Sequence, residues 1–354
     1  MMKSLLNYLF IAAIAISVAF TSCKKNGNND DDEKEYDVYV AGNCRPVSSY
    51  YNPSSLWTND DVQRLTDGNF ISTANSVFVS GDDVYVAGFE VNEQYISVAK
   101  LWINGEVQDL TDGTNLAGAN SVFVSNGKVY VAGMERNEKY IYVAKLWING
   151  EVQNLTDGTG DAEARSVFVS GSNVYVAGYQ SIFSNDYFTR VATLWINGVA
   201  QNLTDGTRNT DARSVFVSGS DVYVAGFVNN EQNYTVATVW KNGAVKYLTD
   251  GTNNSQANSV YFSGSNVYVV GYEWNTGFPV AKAWINDNVA ITITKVPRSE
   301  ANSVFVLDGD VYVAGYEINQ QNVTVATLWK NGEAKSLNNG MGAIANSVFV
   351  VEKK

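Results

Sequence analysis

The chain holds no histidine among its 354 residues. Imidazole general bases, His-containing triads and His metal ligands are therefore absent from its chemistry. Acid–base work falls to carboxyl groups. Glu90, Glu93, Glu135, Glu273 and Glu317 stand between strand-like runs, and two carboxyl groups at a set separation suffice to cleave a glycosidic bond. Several of these acids occupy equivalent places in a repeat, however. A catalytic pair needs two unlike environments to split its pKa values. A second set, Asp67, Asp112, Asp157, Asp205 and Asp250, falls in repeated Thr-Asp-Gly triplets. Carboxylates in such number suit a cation such as calcium. The one-, three- and five-residue ligand spacing of a calcium loop is missing, and Asp-Gly is ordinary turn chemistry. No glycine-rich phosphate loop and no nucleophile elbow occurs. No catalytic residue, metal or cofactor is assigned.

Binding chemistry is better represented. Asn-Ser pairs open apolar runs at Asn75, Asn120, Asn258, Asn302 and Asn346, and Arg165 and Arg213 replace the Asn in two adjacent copies. Neighbouring guanidinium groups can hold a carboxylate or sulfate. Tyr140, Tyr187, Tyr234, Tyr272, Trp274 and Phe278 lie in or beside segments of variable length. Their flat apolar faces can stack on sugar rings or on a partner protein, with hydroxyls for orientation. Trp274 is the one tryptophan outside a repeated position. A net charge of −12 repels phosphate backbones, so nucleic acid is not expected as a partner.

These residues are positioned by a repeat. The valine opening each "VYVAG"-type run lies at Val38, Val84, Val129, Val174, Val222, Val267 and Val311, at intervals of 44–48 residues. One tryptophan follows in each unit, at Trp57, Trp102, Trp147, Trp195, Trp240, Trp284 and Trp329. A fixed offset in every unit assigns these rings to packing between units. Each unit reads as four short strands, A ("NSVFVS"), B ("DVYVAG"), C ("VATLWING") and D ("AQNLTDG"). Short Gly-containing turns join A to B, and Asn-Gly joins C to D. Strands A and B are apolar or small on both faces, as strands covered on both sides must be. Strand D is polar, as an outer edge should be.

Four short antiparallel strands at this period resemble the blades of seven-bladed β-propellers. The resemblance covers residues 36–354 and implies an all-β ring. It extends to no narrower family, since the Trp-Asp dipeptide of WD repeats and the paired glycines of kelch repeats are missing. The chain begins its repeats with B–C–D (about 36–67) and ends them with a lone A (about 345–351). One blade shared between the two ends would close the ring, whereas an open solenoid would carry polar caps. By strand parity, the A–B and C–D turns share one face, and the variable B–C and D–A loops share the other. Function tends to sit in variable loops on a rigid frame.

The amino terminus has Lys3, the apolar run "LLNYLFIAAIAISVAF" (5–20) and then "TSC". This resembles a bacterial lipoprotein signal, with Phe20 where Leu is usual. The resemblance implies removal of 1–22 and acylation of Cys23, palmitate included. The other readings are a secretory signal cut near Ser22 or an uncleaved anchor. Several acyl chains on one residue give stable anchoring. Residues 23–35 read as a polar flexible tether. Their acidic run is similar to export signals of surface-exposed outer-membrane lipoproteins; as a plain spacer it would serve a periplasmic protein. The expectation is an outer-membrane, lipid-anchored monomer whose B–C/D–A face recognises a glycan or an envelope protein. The alternatives are a carbohydrate-active hydrolase or lyase, and a purely structural envelope protein.

Overall fold

The C–D turns are dictated by their residues. In Asn104-Gly105 both φ angles are positive, 52° and 86°, the type I′ geometry that matches strand twist. The Asn104 side chain then ties the turn to strand B, accepting from Val84 N at 2.9 Å and donating to Asp83 Oδ1 at 2.8 Å. The same turn recurs at Asn149, Asn197, Asn242 and Asn331. The computed structural model describes residues 34–45, 51–184, 187–286, 291–338 and 342–353. The signal, Cys23 and the tether up to Glu33 lie outside the described residues. Lys34, the first described residue, reaches Asp308 Oδ2 at 3.0 Å and Glu352 Oε2 at 2.9 Å with its Nζ.

The described strands form seven four-stranded antiparallel sheets. Blade 1 is the shared one: strand A is Ala343–Glu352, and B, C and D are Tyr36–Cys44, Ser54–Thr58 and Asp61–Arg64. Its A–B ladder runs from Tyr36↔Glu352 through Tyr39↔Phe349 to Cys44↔Ala343. Blades 2 to 7 follow in chain order with their A strands at Ser72–Ser80, Ala117–Ser125, Ala162–Ser170, Thr210–Ser218, Ser255–Ser263 and Ser299–Leu307. The ring is therefore closed by the amino- and carboxy-terminal strands, as the split repeat predicts. The D strands are exposed along their length, and in blade 6 only Ile291–Thr292 remain of it among the described residues.

Each A strand carries a β-bulge one residue before its serine, for example between Ala74 and Ser76. The bulge drives the backbone of residue 73 against Gly88 of strand B. A Cβ on Gly88 would overlap the Thr73 carbonyl oxygen, and the equivalent glycines of the other blades meet the same obstacle. That is why the "VYVAG" run ends in glycine.

Three rings then bind blade to blade. The A-strand serines accept from the backbone of the next blade all the way round: Val122 N to Ser76 Oγ at 3.2 Å, Val167 N to Ser121 at 3.1 Å, and so on to Val77 N on Ser347 at 3.2 Å. Two residues along, Phe78, Phe123, Phe168, Phe216, Tyr261, Phe305 and Phe349 touch in an unbroken circle, with centroids 4.7–4.9 Å apart. The third ring is the blade tryptophans. Each is at most 1% exposed, and each packs on the preceding blade: Trp195, for example, sits against Ala132, Ala144 and Leu146.

None of the seven blade indole N–H groups has a hydrogen-bond partner among the described residues. The tryptophans therefore stabilise through volume and apolar area. Trp147→Ala is expected to cost about 3–5 kcal/mol by opening a cavity. Trp147→Phe is expected to cost clearly less, since no bond of the N–H is lost. Urea unfolding of both variants checks this, and equal losses would contradict it.

Candidate functional site

The bulge residue of each A strand is turned to one mouth of the ring, on the side of the B–C and D–A loops. In five blades it is Asn, and its amide donates to the next blade: Asn75 to Ala119 O at 2.9 Å, Asn120 to Ala164 O at 2.9 Å, Asn258 to Ala301 O at 2.9 Å, Asn302 to Ala345 O at 2.9 Å and Asn346 to Ala74 O at 3.0 Å. In blades 4 and 5 the bulge residue is arginine, and the clasp changes chemistry. Arg165 Nε donates to both oxygens of Asp211 on blade 5, at 2.9 and 3.0 Å. It also pairs with Glu163 of its own strand, Nη2 to Oε2 at 3.2 Å. Asp211 is 1% exposed. Burial disfavours the Arg165 charge, but Asp211 and Glu163 more than offset it and hold its pKa above the usual range.

Arg213 is treated differently. It reaches the Gln256 amide of blade 6; with that amide oriented to present its oxygen to the guanidinium, the oxygen accepts from Nε at 2.7 Å and the nitrogen donates to Tyr272 Oη at 3.2 Å. No carboxylate of the described residues lies within ion-pair distance of Arg213. Burial, and then the like charge of Arg165, push its pKa down. Beyond Gln256 stands Glu300, close to the Tyr316 hydroxyl. Burial pushes the Glu300 carboxyl up, against the opposing pulls of Tyr316 and Arg213. Burial and the nearby Glu300 raise Tyr316 in turn.

The mouth is thus unsymmetrical. Blades 4 to 7 place Glu163, Asp211, Gln256 and Glu300 two residues before the bulge, whereas blades 1 to 3 place Ile344, Thr73 and Gly118 there. A cavity of about 250 Å3 lies over the clasp ring, lined by the bulge residues with Gln256 and Glu300. Its donors and acceptors are amides, the ion-paired Arg165, the Arg213 guanidinium without a direct ion pair and one hard-to-ionise carboxyl. Such a set can orient hydroxyl, amide or carboxylate groups of a ligand. The sequence pointed to Arg165 and Arg213. It did not point to Glu163, Asp211, Gln256, Glu300 or Tyr316.

Glu90, Glu135, Glu273 and Glu317, expected between strands, lie instead near the ends of the B strands, which run on past the glycine, and have other work. Glu90 pairs with Lys100 at 3.7 Å, Glu135 with Lys145 at 2.9 Å and Glu273 with Lys282 at 3.5 Å, the same contact in three blades. Glu317 accepts from Thr294 Oγ1. The Asp-Gly carboxylates cap their own turns. Asp112 Oδ1 accepts from Thr114 N at 2.9 Å and Oγ1 at 2.7 Å, bonds that lower its pKa, and Asp157, Asp205 and Asp250 repeat the pattern.

Four B–C connections share one five-residue turn: 92–96, 137–141, 230–234 and 319–323. Its first residue is Asn. Asn92 Oδ1 accepts from Gln94 N and Ile96 N, both at 3.0 Å, and its Nδ2 donates to Gly113 O at 3.1 Å. Asn137, Asn230 and Asn319 accept in the same way. The fourth residue takes positive φ: Tyr95 (59°), Tyr140 (64°), Asn233 (63°) and Asn322 (58°). Asn tolerates this region, whereas for a tyrosine it costs about 1–2 kcal/mol. Tyr95 and Tyr140 are nonetheless 77% and 72% exposed.

The other aromatic candidates are dispersed. Tyr234 follows Asn233, one place beyond the positive-φ position, and is 41% exposed. Trp274 and Phe278 flank a Thr276-Gly277 turn in blade 6. Each is 39% exposed, and Arg298 lies 4.3 Å over the Phe278 ring. Tyr272 lies behind Gln256 at the mouth. Tyr187 pairs with Ser184 at the tip of blade 4; its side chain lies outside the described residues. The structure therefore joins Arg165, Arg213 and Tyr272 at the mouth and spreads Tyr140, Tyr234, Trp274 and Phe278 over the loop tips.

No family model matches the chain, and no curated protein matches it. Among solved structures, the β-propeller domain of the Trilobed protease from Pyrococcus furiosus is similar at TM-score 0.54 and 13% identity, over 86% of this chain and 95% of that one. Acylaminoacyl peptidase from Pyrococcus horikoshii gives 0.50 and 14%, over 86% and 51%. A prolyl endopeptidase gives 0.53 and 11%, over 88% and 50%. This chain spans about half the length of those two peptidases. At such identities the likeness is one of fold.

Glu300 supplies a pH test. Its folded pKa is raised, so its ionised form costs stability at neutral pH, and that cost fades as pH falls through the folded value. Glu300→Gln should be at least as stable as the parent at pH 8, with the advantage shrinking toward pH 5. Urea unfolding at both pH values checks it, and an advantage that grows on acidification would contradict the assignment.

Proposed function

We propose that this chain is a binding propeller, held at the outer membrane by acylated Cys23, that recognises an envelope glycan or protein through its B–C/D–A face. The observation that carries this reading is the break in sevenfold symmetry at the mouth. The serine and aromatic rings repeat in all seven blades. The clasp ring alone changes chemistry, and it places a guanidinium without a direct ion pair, that of Arg213, beside a hard-to-ionise carboxyl over an open cavity. A ring built only to hold itself together has no use for that arrangement, because Asn already makes the clasp in five blades.

Binding is preferred over glycoside hydrolysis on the state of the acids. Glu90, Glu135 and Glu273 each pair with the equivalent lysine of their own blade, a contact of the repeat rather than two acids set against each other. The peptidases of similar fold span twice this length, and their activity is not carried over. Membrane anchoring and placement at the cell surface rest on the resemblance of residues 1–35 to lipoprotein signals.

The reading is tested with the full chain on a glycan array and in pull-downs from envelope extract. Arg213→Asn restores the residue of the sister blades and should keep the ring folded. It and Trp274→Ala are each expected to weaken the interaction at least several-fold without lowering the melting temperature. Unchanged binding by both variants would overturn the site.

A further inference from the structure

Tyr95 and Tyr140 point to a ligand class. They stand in adjacent blades 2 and 3, at the same place in the same asparagine-stapled turn. In blades 5 and 7 that place holds Asn233 and Asn322, the residue type suited to positive φ. The tyrosines adopt the same angle against their preference. Their rings do not compensate by packing, since both are more than two-thirds exposed. Only Tyr140 has a described ring partner: Arg136 lies 4.7 Å from its centroid, and Arg136 Nε donates to the Tyr140 carbonyl at 2.9 Å. That contact covers one ring face and leaves the other to solvent.

We propose that Tyr95 and Tyr140 form two stacking platforms for sugar rings along one neutral polysaccharide chain. This rests on the B–C/D–A face being the binding face and names its ligand class. Three observations select the occupant. First, the platforms repeat by the ring's own pseudo-symmetry, one blade apart, and so match a ligand that itself repeats. Second, each ring stands among polar residues, Glu93 and Gln94 beside Tyr95, and Arg136, Glu138 and Lys139 beside Tyr140. A protein hot spot needs an apolar centre shielded from water, and no such patch surrounds either ring. Third, the chain carries a net charge of −12, which disfavours a polyanionic glycan. The rigid turn holds each ring in place before binding, so little ordering remains to be done.

The test uses the purified full chain in affinity electrophoresis through a panel of neutral polysaccharides: α- and β-glucans, mannan, galactan and arabinoxylan. Retardation by at least one is expected. Tyr95→Asn/Tyr140→Asn installs the residue of blades 5 and 7, so the turn stays intact and the melting temperature should not fall. Its affinity should drop about tenfold per ring lost. Tyr95→Phe/Tyr140→Phe keeps the stacking faces and should bind within a few-fold of the parent. No retardation across the panel, or equal binding by the Asn variant, overturns the inference. So does a pull-down in which the Asn variant loses a protein partner and no glycan. If Arg213→Asn loses glycan binding while the Tyr→Asn protein keeps it, the platforms fail and the mouth site stands. If the parent binds no glycan and no envelope protein, both readings fail.

Discussion

Ring closure is the constraint on which everything else depends. The pairing of Tyr36–Cys44 with Ala343–Glu352 joins segments some 300 residues apart. The serine, aromatic and clasp rings each take one member from that last strand: Ser347, Phe349 and Asn346. An unclosed chain would leave all three open at the same seam. Closing so long a loop is not thermodynamically severe, because its entropy grows only with the logarithm of length. The kinetic cost is larger, since these contacts form late and across the whole sequence. The six blades between are local, each a run of hairpins. The chain thus combines rapid local structure with one long-range step that makes the ring cooperative.

Closure also fixes where chemistry can sit. Each blade must pass a bulge at the head of strand A, and each bulge requires a glycine opposite, as the Thr73–Gly88 contact makes plain. The bulged residue then faces the mouth and can reach the next blade. Asn does this through its amide, with one bond to a backbone carbonyl and, at Asn120, a second to Glu163. Arg165 does it with a carboxylate that has to be buried, so Glu163 and Asp211 come with it. Arg213 does it through Gln256, leaving its charge without a paired anion. The site is therefore a variation on a structural joint.

Much of the frame was legible. The 44–48-residue spacing of the valines, the tryptophan in each unit and the divided first blade gave sheet count and closure, because they follow from burial and from pairing edges. The mouth was only half legible, for a local reason. Alternation counted back from Phe78 puts Ser76 and Ala74 on the channel side and Thr73 in the wall. The bulge at Asn75 inverts the count, so Ala74 is fully buried and Thr73 shares the mouth with Asn75. Glu163, Asp211, Gln256 and Glu300 were concealed by that one-residue shift. The backbone sign at Tyr95 and Tyr140 is likewise not written in their residue type. Alignment of the four turns, with Asn233 and Asn322 at the same place, was the signal that could have found it.

A repeat protein supplies its own controls, and they separate two kinds of departure. Arg165 departs from Asn and gains a doubly accepted clasp, so the ring itself accounts for it. Tyr95 departs from Asn under the same staple and the same φ, and gains no buried contact. A substitution that raises backbone energy and adds nothing to packing lowers the stability of the free protein. Its return must come from something outside the fold. This distinction, drawn between blades that share one backbone, locates function more sharply than exposure alone, because exposed aromatic residues are common and strained exposed ones are not.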